Sequence, residues 1–441
     1  MPPELKISRP QIQTRRPLSF DPSRLIPTCV ALAFGFFLQF DIMTATFGLP
    51  FLRITDALMF VFVPCLLLAV GVNRVVRDGL LYFVVLFLVV GSSLVLKTAV
   101  EEGDRYLTLI LLLTSVFTFL FVEVANEKVL VWFATGTLLG LIPSLAVLFL
   151  QAGGNTGLVN IGLGVPVDMV KVNAALFASV KIGGMWVHGN EAGHVYALAM
   201  ASALFLALRY RRPLIYIAFY VLLIASFSVT LNRAGLIAPT IALFYCYWRL
   251  GSFPLYVQSV LIVAVGVVIL VTLPNAPGLD TLQTSIEQRF VDDTHTDNNI
   301  TERLVSNAAG VQVALENPFG IGVSERVSIM ADRTINGVTS IHNGFLSLAY
   351  QSSIFVTFFY LLSCIYLFLN RRSVSPFYVI MFLFTATSMM FEELSINQLF
   401  IFSVALTISA AWLQYINNRH AAARAQSALR NNFSFKLPPL R

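Results

Sequence analysis

The chain has 441 residues, of which 57% are hydrophobic and only 12% are charged, and its mean hydropathy is +0.78. No soluble core needs that much apolar side chain, so the composition excludes a soluble globular protein and indicates an integral membrane protein. The formal net charge is +6, but the basic residues lie at the ends of apolar segments. This distribution argues against a nucleic-acid partner and is typical of membrane topology.

The apolar residues come in runs of about 18–25, the length of helix that crosses a hydrocarbon layer. Helices are the expected spanning element because backbone polar groups must be paired within lipid, and the runs lack the alternation of barrel strands. The predicted fold is therefore all-α and polytopic, with about twelve transmembrane helices. The predicted spans are residues 25–43, 56–73, 79–97, 106–124, 128–151, 191–208, 213–231, 234–250, 254–273, 342–369, 375–391 and 396–416.

The connections between these spans define the predicted organisation. If the two basic ends and the even-numbered turns lie in the cytoplasm, most Lys and Arg residues lie there too, as the orientation rule requires. Both termini are then cytoplasmic, and the two long connections lie on the outer side. In chain order the predicted parts are a cytoplasmic tail at 1–24, spans one to nine at 25–273 with an outer loop at 152–190, a periplasmic catalytic loop at 274–341, spans ten to twelve at 342–416, and a second cytoplasmic tail at 417–441.

Neither a metal site nor a disulfide is predicted. The four cysteines, Cys29, Cys65, Cys246 and Cys364, all fall in apolar spans without a CxxC spacing, so they are read as small hydrophobic residues. His188 and His194 flank a polar segment, but their six-residue spacing does not place them on one helix face as a ligand pair. No cofactor is predicted.

The longest outer connection contains a short predicted helix, and sequence signals mark both its first and its last residues. Asn299 is predicted to cap it, with Glu302 reaching back to the cap, and Pro318 ends it in the turn Asn317–Gly322. Apolar residues recur at three- and four-residue spacing, so one face is predicted to lie on the membrane domain and to present Arg303 along its edge. The residues of that predicted face are Leu304, Val305, Ala308, Val311, Ala314 and Leu315.

Three arginines on the outer side are candidate ligands for an anion. Arg233 follows the seventh span, and Arg289 and Arg303 lie in the catalytic loop. A guanidinium donates planar, bidentate hydrogen bonds and keeps its charge, so Arg233 and Arg303 are suited to bind a lipid diphosphate and to stabilise it as a leaving group. The alternative readings are an interfacial arginine for Arg233 and a solvated helix face for Arg303.

His342 and Asn343 open the tenth predicted span. An imidazole titrates near neutral pH and can take a proton from a hydroxyl group, so His342 is the candidate general base and Asn343 a candidate substrate ligand. The alternative is an interfacial histidine that bonds a backbone carbonyl.

Three segments together resemble the O-antigen ligase and Wzy-type polymerase superfamily. They are Asn232-Arg233-Ala234-Gly235-Leu236, then Arg303 followed by Glu316–Gly322, then His342-Asn343-Gly344-Phe345-Leu346. The resemblance implies a GT-C-like membrane glycosyltransferase in a bacterial inner membrane with a periplasmic active site. It also implies an undecaprenyl-diphosphate-linked glycan donor, a glycan acceptor (a lipid-linked repeat or lipid A core), and a metal-independent reaction. In it, Arg233 and Arg303 would hold the diphosphate and His342 would activate the acceptor hydroxyl.

Two departures bear on the choice within the superfamily. Ligases commonly carry Gly-x-x-Gly after the His-Asn pair, where this chain has Ser353 and Val356, and Asn232 replaces the usual serine. The first departure favours a polymerase of surface polysaccharide over an O-antigen ligase that acts on lipid A core. A small-anion transporter and a non-catalytic scaffold remain the alternatives from other classes, although the chain shows no internal repeat of the kind found in many carriers.

Overall fold

The computed structural model describes residues 22–40, 54–95, 102–152, 184–186, 189–230, 235, 237–250, 264, 296–322, 329–330, 332–334, 341, 343–391 and 398–434. Their regular structure is entirely helical, as the composition predicts. The helices are α1 (Pro22–Phe37), α2 (Ile54–Val70), α3 (Val72–Val95), α4 (Glu102–Val124), α5 (Glu127–Ala152), α6 (Gly189–Tyr210), α7 (Pro213–Thr230), α8 (Ile237–Leu250), α9 (Thr296–Glu316), α10 (Gly344–Gln351), α11 (Ile354–Leu369), α12 (Pro376–Met389) and α13 (Gln398–Ser434).

Three of the described helices are long and apolar enough to cross a membrane, namely Glu127–Gln151, Ala192–Tyr210 and Leu399–Ser427. The pair α2 and α3 would make a fourth if it is one bent span, with 113° between its halves. Six shorter apolar helices accompany them. These helices are consistent with an all-α membrane protein, while the total of twelve spans stays a prediction and the predicted ninth span, 254–273, falls almost wholly outside the described residues.

Glycines bring α1 and α5 into close contact. A Cβ atom at Gly136 would overlap the backbone carbonyl of Leu32, and one at Gly140 would overlap that of Phe36. Small residues four apart on one helix allow two backbones to approach closely, which is how helices associate in lipid, where apolar burial gives little driving force between them. The α1–α5 pair is thereby a close-packed part of the bundle.

Several turns with basic residues lie at one end of the bundle, which we call the basic end. Arg74 of α3 bonds Glu123 of α4 at 2.7 Å, and Arg209 of α6 bonds Glu127 of α5 at 2.7 Å. The start of α12 and the middle of α13 lie against the same cavity as Arg74 and Glu127, a space of about 490 Å³. Because α11 ends at this basic end, α10 and the start of α11 lie at the opposite end of the bundle.

Three helix boundaries differ from the prediction. The predicted tenth span, 342–369, is not one helix but two, α10 and α11, separated at Ser352 and Ser353. A single residue, Gly71, replaces the predicted connection between the second and third spans and has a φ of +82°. The last helix continues to Ser434, so much of the predicted tail at 417–441 is helical.

Candidate functional site

The helix α9 begins earlier than predicted. It starts at Thr296, so Asn299 lies inside the helix and the prediction that Asn299 caps it is wrong. The helix therefore gains one further turn at its amino end.

The face of α9 that packs against the protein also differs from the prediction. The buried residues are mostly small, Ser306, Ala309, Gly310, Val313 and Ala314. Of the predicted face, only Ala314 is buried, whereas Leu304, Val311 and Leu315 are 65%, 44% and 67% exposed. Small residues occupy the packed face because α9 lies close against α10 and the residues before it. A Cβ at Gly310 would overlap the side chain of Ile341.

A small apolar core joins α9 to α10. Ile341 and Tyr350, at the two ends of the α10 segment, are fully buried, and they share this core with Val313 of α9, with Ile321 and with Met330. Ile341 is the residue before His342 in the sequence, and its burial fixes the entry of the chain into α10 against α9.

The turn Asn317–Gly322 joins α9 to the break between α10 and α11. Its Ile321 amide donates to the carbonyl of Tyr350 at 2.7 Å, and its Gly322 amide donates to that of Gln351 at 3.0 Å. These bonds satisfy carbonyls that the last turn of α10 would leave unpaired. On the other side of the break, the Pro318 carbonyl accepts from the Ile354 amide at 3.1 Å.

The side chain of Ser353 also forms hydrogen bonds at this break. Its hydroxyl donates to the Pro318 carbonyl at 3.0 Å and accepts from the Phe355 amide at 3.1 Å. Ser353 is thus the amino-terminal cap of α11, and one side chain connects the turn after α9 to the first turn of α11.

Gly320 is required by both its conformation and its surroundings. It has a φ of +84°, in the left-handed region that side chains other than glycine rarely adopt. A Cβ at this position would lie 2.5 Å from the Gln351 carbonyl oxygen and 2.6 Å from that of Ser352. The Pro-x-Gly sequence therefore lets the turn reach the backbone of the break.

Asn343 is the amino-terminal cap of α10. Its side-chain oxygen accepts from the amides of Phe345 at 3.0 Å and Leu346 at 3.1 Å. Capping by Asn is a sufficient structural reason for this residue. It leaves the amide nitrogen as the group through which Asn343 would act as the predicted substrate ligand.

Arg303 lies at the edge of the α9 face that packs against α10, next to the exposed side of the helix. It precedes Ser306 by three residues and Gly310 by seven, and both spacings return to the same helix face. At 1.5 Å per residue, Arg303 stands about 10 Å along the axis from Gly310, beyond the level at which Ile341 packs. Its side chain is exposed and forms no ion pair with the described residues.

A second arginine of this region is already paired. Arg333 bonds Glu316 at 2.7 Å, and Gln312 donates to the same carboxylate at 2.9 Å. The hydrogen bond from Arg333, followed by that from Gln312, holds the pKa of Glu316 below its ordinary value. Arg333 therefore fastens the 332–334 turn to the end of α9.

The other predicted site residues, Arg233, Arg289 and His342, lie outside the described residues. Their described neighbours include Thr230, the last residue of α7, and Ile341 and Asn343, which flank His342 in the sequence. Of the five predicted residues, the structure thus brings Arg303 and Asn343 into one unit, formed by α9, the turn and α10. Among the residues with described positions, no group of three His, Cys, Asp or Glu side chains could hold a metal ion.

The residues that build this unit were mostly missed at the sequence level. Ile341, Gly320 and Ser353 carry its contacts, and none was singled out for that role. The available signals were the glycines after Pro318 and the serine pair inside an apolar run that is longer than one span needs.

Comparison with known proteins agrees with the sequence resemblance. No curated protein matches the chain. Residues 218–361 match a family model described as O-Antigen ligase, and this stretch runs from α7 to the first half of α11 and includes every residue of the candidate site. The match supports placement of the chain in the O-antigen ligase and Wzy-type polymerase superfamily, and the resemblance predicted from the sequence is confirmed.

Proposed function

We propose that the protein is a glycosyltransferase that moves an oligosaccharide from undecaprenyl diphosphate to a hydroxyl group of a second glycan. In the preferred form the acceptor is another lipid-linked repeat, so the enzyme is a Wzy-type polymerase of surface polysaccharide. The family match over residues 218–361 carries the proposal, and the position of the exposed Arg303 at the edge of the α9 face that packs against α10 supports it.

The proposed reaction has a role for each candidate residue. His342 takes the proton from the acceptor hydroxyl, whose oxygen forms the new bond to the anomeric carbon of the donor sugar. The bond between that carbon and the diphosphate oxygen breaks, and the diphosphate leaves with the bonding electrons. Arg233 and Arg303 bind the diphosphate and stabilise its growing charge, and Arg289 and the Asn343 amide are further proposed ligands.

The proposed location is the bacterial inner membrane. The basic end of the bundle would face the cytoplasm, as the distribution of Lys and Arg favours. The unit formed by α9, the turn and α10 is at the other end and would then face the periplasm, where lipid-linked glycans are joined. Both termini would be cytoplasmic.

The ligase form is the alternative, because the matched family is described as O-Antigen ligase. In that form the acceptor is lipid A core. Purified protein incubated with lipid-linked repeats alone separates the two. Growth of the glycan chain supports a polymerase, transfer that requires added core supports a ligase, and no transfer under either condition contradicts both.

Substitutions test the assigned residues. Arg303→Ala is expected to lower kcat by about 10²–10³-fold, the usual cost of removing one group that stabilises a developing anion. Arg333→Gln is the matched control, since Arg333 is held by Glu316 and is expected to leave kcat nearly unchanged. Equal losses in the two variants would contradict the role of Arg303.

A further inference from the structure

The exposed side of α9 carries an apolar stripe that no described residue covers. Leu304, Ala308, Val311 and Leu315 follow one another at spacings of four, three and four residues, which keeps them on one side of the helix. Leu304 and Leu315 are 65% and 67% exposed. The side of α9 that packs on α10 is a different one, so the stripe has no part in the core described above.

The stripe begins beside a cation. Arg303 precedes Leu304 directly and has no ion pair among the residues whose positions are described. An exposed guanidinium at the edge of an apolar stripe suits an amphiphile with an anionic head and an apolar chain. A leaflet acyl chain or a second copy of the protein could cover the apolar stripe, but neither offers an anionic group that would pair with Arg303.

At its other end the stripe leads towards the membrane surface of α11. Leu315 is followed by Phe319 of the turn, and the rings of Phe319 and Phe355 lie 5.5 Å apart. Phe355 starts an exposed apolar line along α11 that continues through Phe358, Leu362 and Ile365, which are 57%, 45% and 56% exposed. Exposed apolar residues thus lie along about 16 Å of α9, at 1.5 Å per residue, and again along one side of α11, with the Phe319–Phe355 pair between the two helices.

We propose that this surface binds the polyprenyl chain of the donor lipid, with the diphosphate at Arg303 and the first isoprene units on Leu304, Ala308, Val311 and Leu315. The chain then enters the bilayer along the exposed side of α11. This inference rests on the proposed function. It assigns a lipid-binding role to α9 in addition to the role of Arg303 in the reaction.

The test compares two donors that carry the same glycan and diphosphate, one with the full polyprenyl chain and one with a short alkyl group in its place. The variant is Leu304→Ser combined with Leu315→Ser. The matched control is Leu68→Ser, which changes an 82% exposed leucine of α2. Thermal unfolding in micelles of one composition checks that the variants are folded.

The double variant is expected to raise KM for the full-length donor about tenfold, equivalent to about 1.4 kcal/mol. Its kcat, and its KM for the short donor, are expected to match those of the wild type, and Leu68→Ser is expected to change neither KM. A KM that is unchanged with the full-length donor overturns the inference. An equal rise with both donors also overturns it and indicates that leaflet lipid or a second copy covers the stripe. A wild type that uses neither donor overturns the proposed function and this inference with it.

Discussion

Replacing Gly320 with alanine tests whether the turn after α9 holds the break between α10 and α11. The substitution adds one methyl group at a position with a φ of +84°. The new Cβ would lie 2.5 Å from the Gln351 oxygen and 2.6 Å from the Ser352 oxygen. Both neighbours are backbone atoms, so they cannot move aside as the end of a flexible side chain could.

Two costs add in this variant. The left-handed conformation costs an alanine about 1–2 kcal/mol. To relieve the overlap, the turn must withdraw from the break, which weakens the bonds from Ile321 to Tyr350 and from Gly322 to Gln351, each contributing about 1 kcal/mol net. Gly320→Ala is therefore expected to lower the free energy of unfolding by about 3–4 kcal/mol.

Gly71→Ala is the matched control because it isolates the conformational cost. Gly71 has a φ of +82°, and nothing lies within 4 Å of the position its Cβ would take. It is expected to cost only about 1–2 kcal/mol. Both variants are measured by reversible unfolding in mixed detergent micelles. If Gly320→Ala is no more destabilising than Gly71→Ala, the turn does not hold the break and the reasoning is refuted.

Three further predictions concern the cap of α11, the ion pair at the end of α9, and the packing of α1 on α5. Ser353→Ala removes the hydrogen bonds to Pro318 and Phe355, so it is expected to destabilise the protein by about 1–2 kcal/mol in the same unfolding assay. Ser353→Thr keeps a hydroxyl group and is expected to retain most of the wild-type stability. If threonine is as destabilising as alanine, the hydroxyl does not have this role. The hydrogen bond from Arg333 lowers the folded pKa of Glu316 from its ordinary 4.5, so the stabilising contribution of this carboxylate is present above pH 4.5 and is lost as pH falls through the folded pKa. Melting temperatures of wild type and Glu316→Gln are expected to differ at pH 7 and to converge once pH is below the folded pKa. A difference that persists when Glu316 is fully protonated would refute the pairing. Gly140→Ala places a Cβ against the Phe36 carbonyl and is expected to cost about 1–3 kcal/mol by overpacking; a neutral effect would mean that α1 and α5 are farther apart.

The helices inside the bundle could be read closely from hydropathy. The run predicted at 128–151 is the helix Glu127–Ala152, and that at 213–231 is Pro213–Thr230. These segments are apolar on all sides and bounded by charges or proline, so both the period and the ends are visible in the sequence.

The packing of α9 could not be read in the same way. Amphipathic analysis assigns Leu304, Val311 and Leu315 to the buried face, but these are exposed. Of the predicted face only Ala314 is buried, together with the small residues Ser306, Ala309 and Gly310. Close approach of two backbones selects small residues. The sequence shows both stripes, and only the identity of the neighbouring helix decides between them.

The break at Ser352 and Ser353 is hidden from hydropathy because the residues on both sides are apolar. The deciding partners, Pro318 and Gly320, lie more than thirty residues earlier in the chain. Such long-range backbone pairing leaves no local pattern. The resemblance to a family recovered the turn and the His-Asn pair as elements of one site, although it did not indicate that the turn holds the break together.

We propose that Arg303 and His342 act in one periplasmic site, and a double-variant cycle measures whether they do. The kcat of purified protein on lipid-linked repeats is measured for Arg303→Ala, His342→Ala and the combined variant. Residues that serve one reaction give non-additive losses, so the combined variant is expected to lose little more than the weaker single variant. Wild-type turnover in either single variant, or losses that multiply fully in the combined one, would contradict the account.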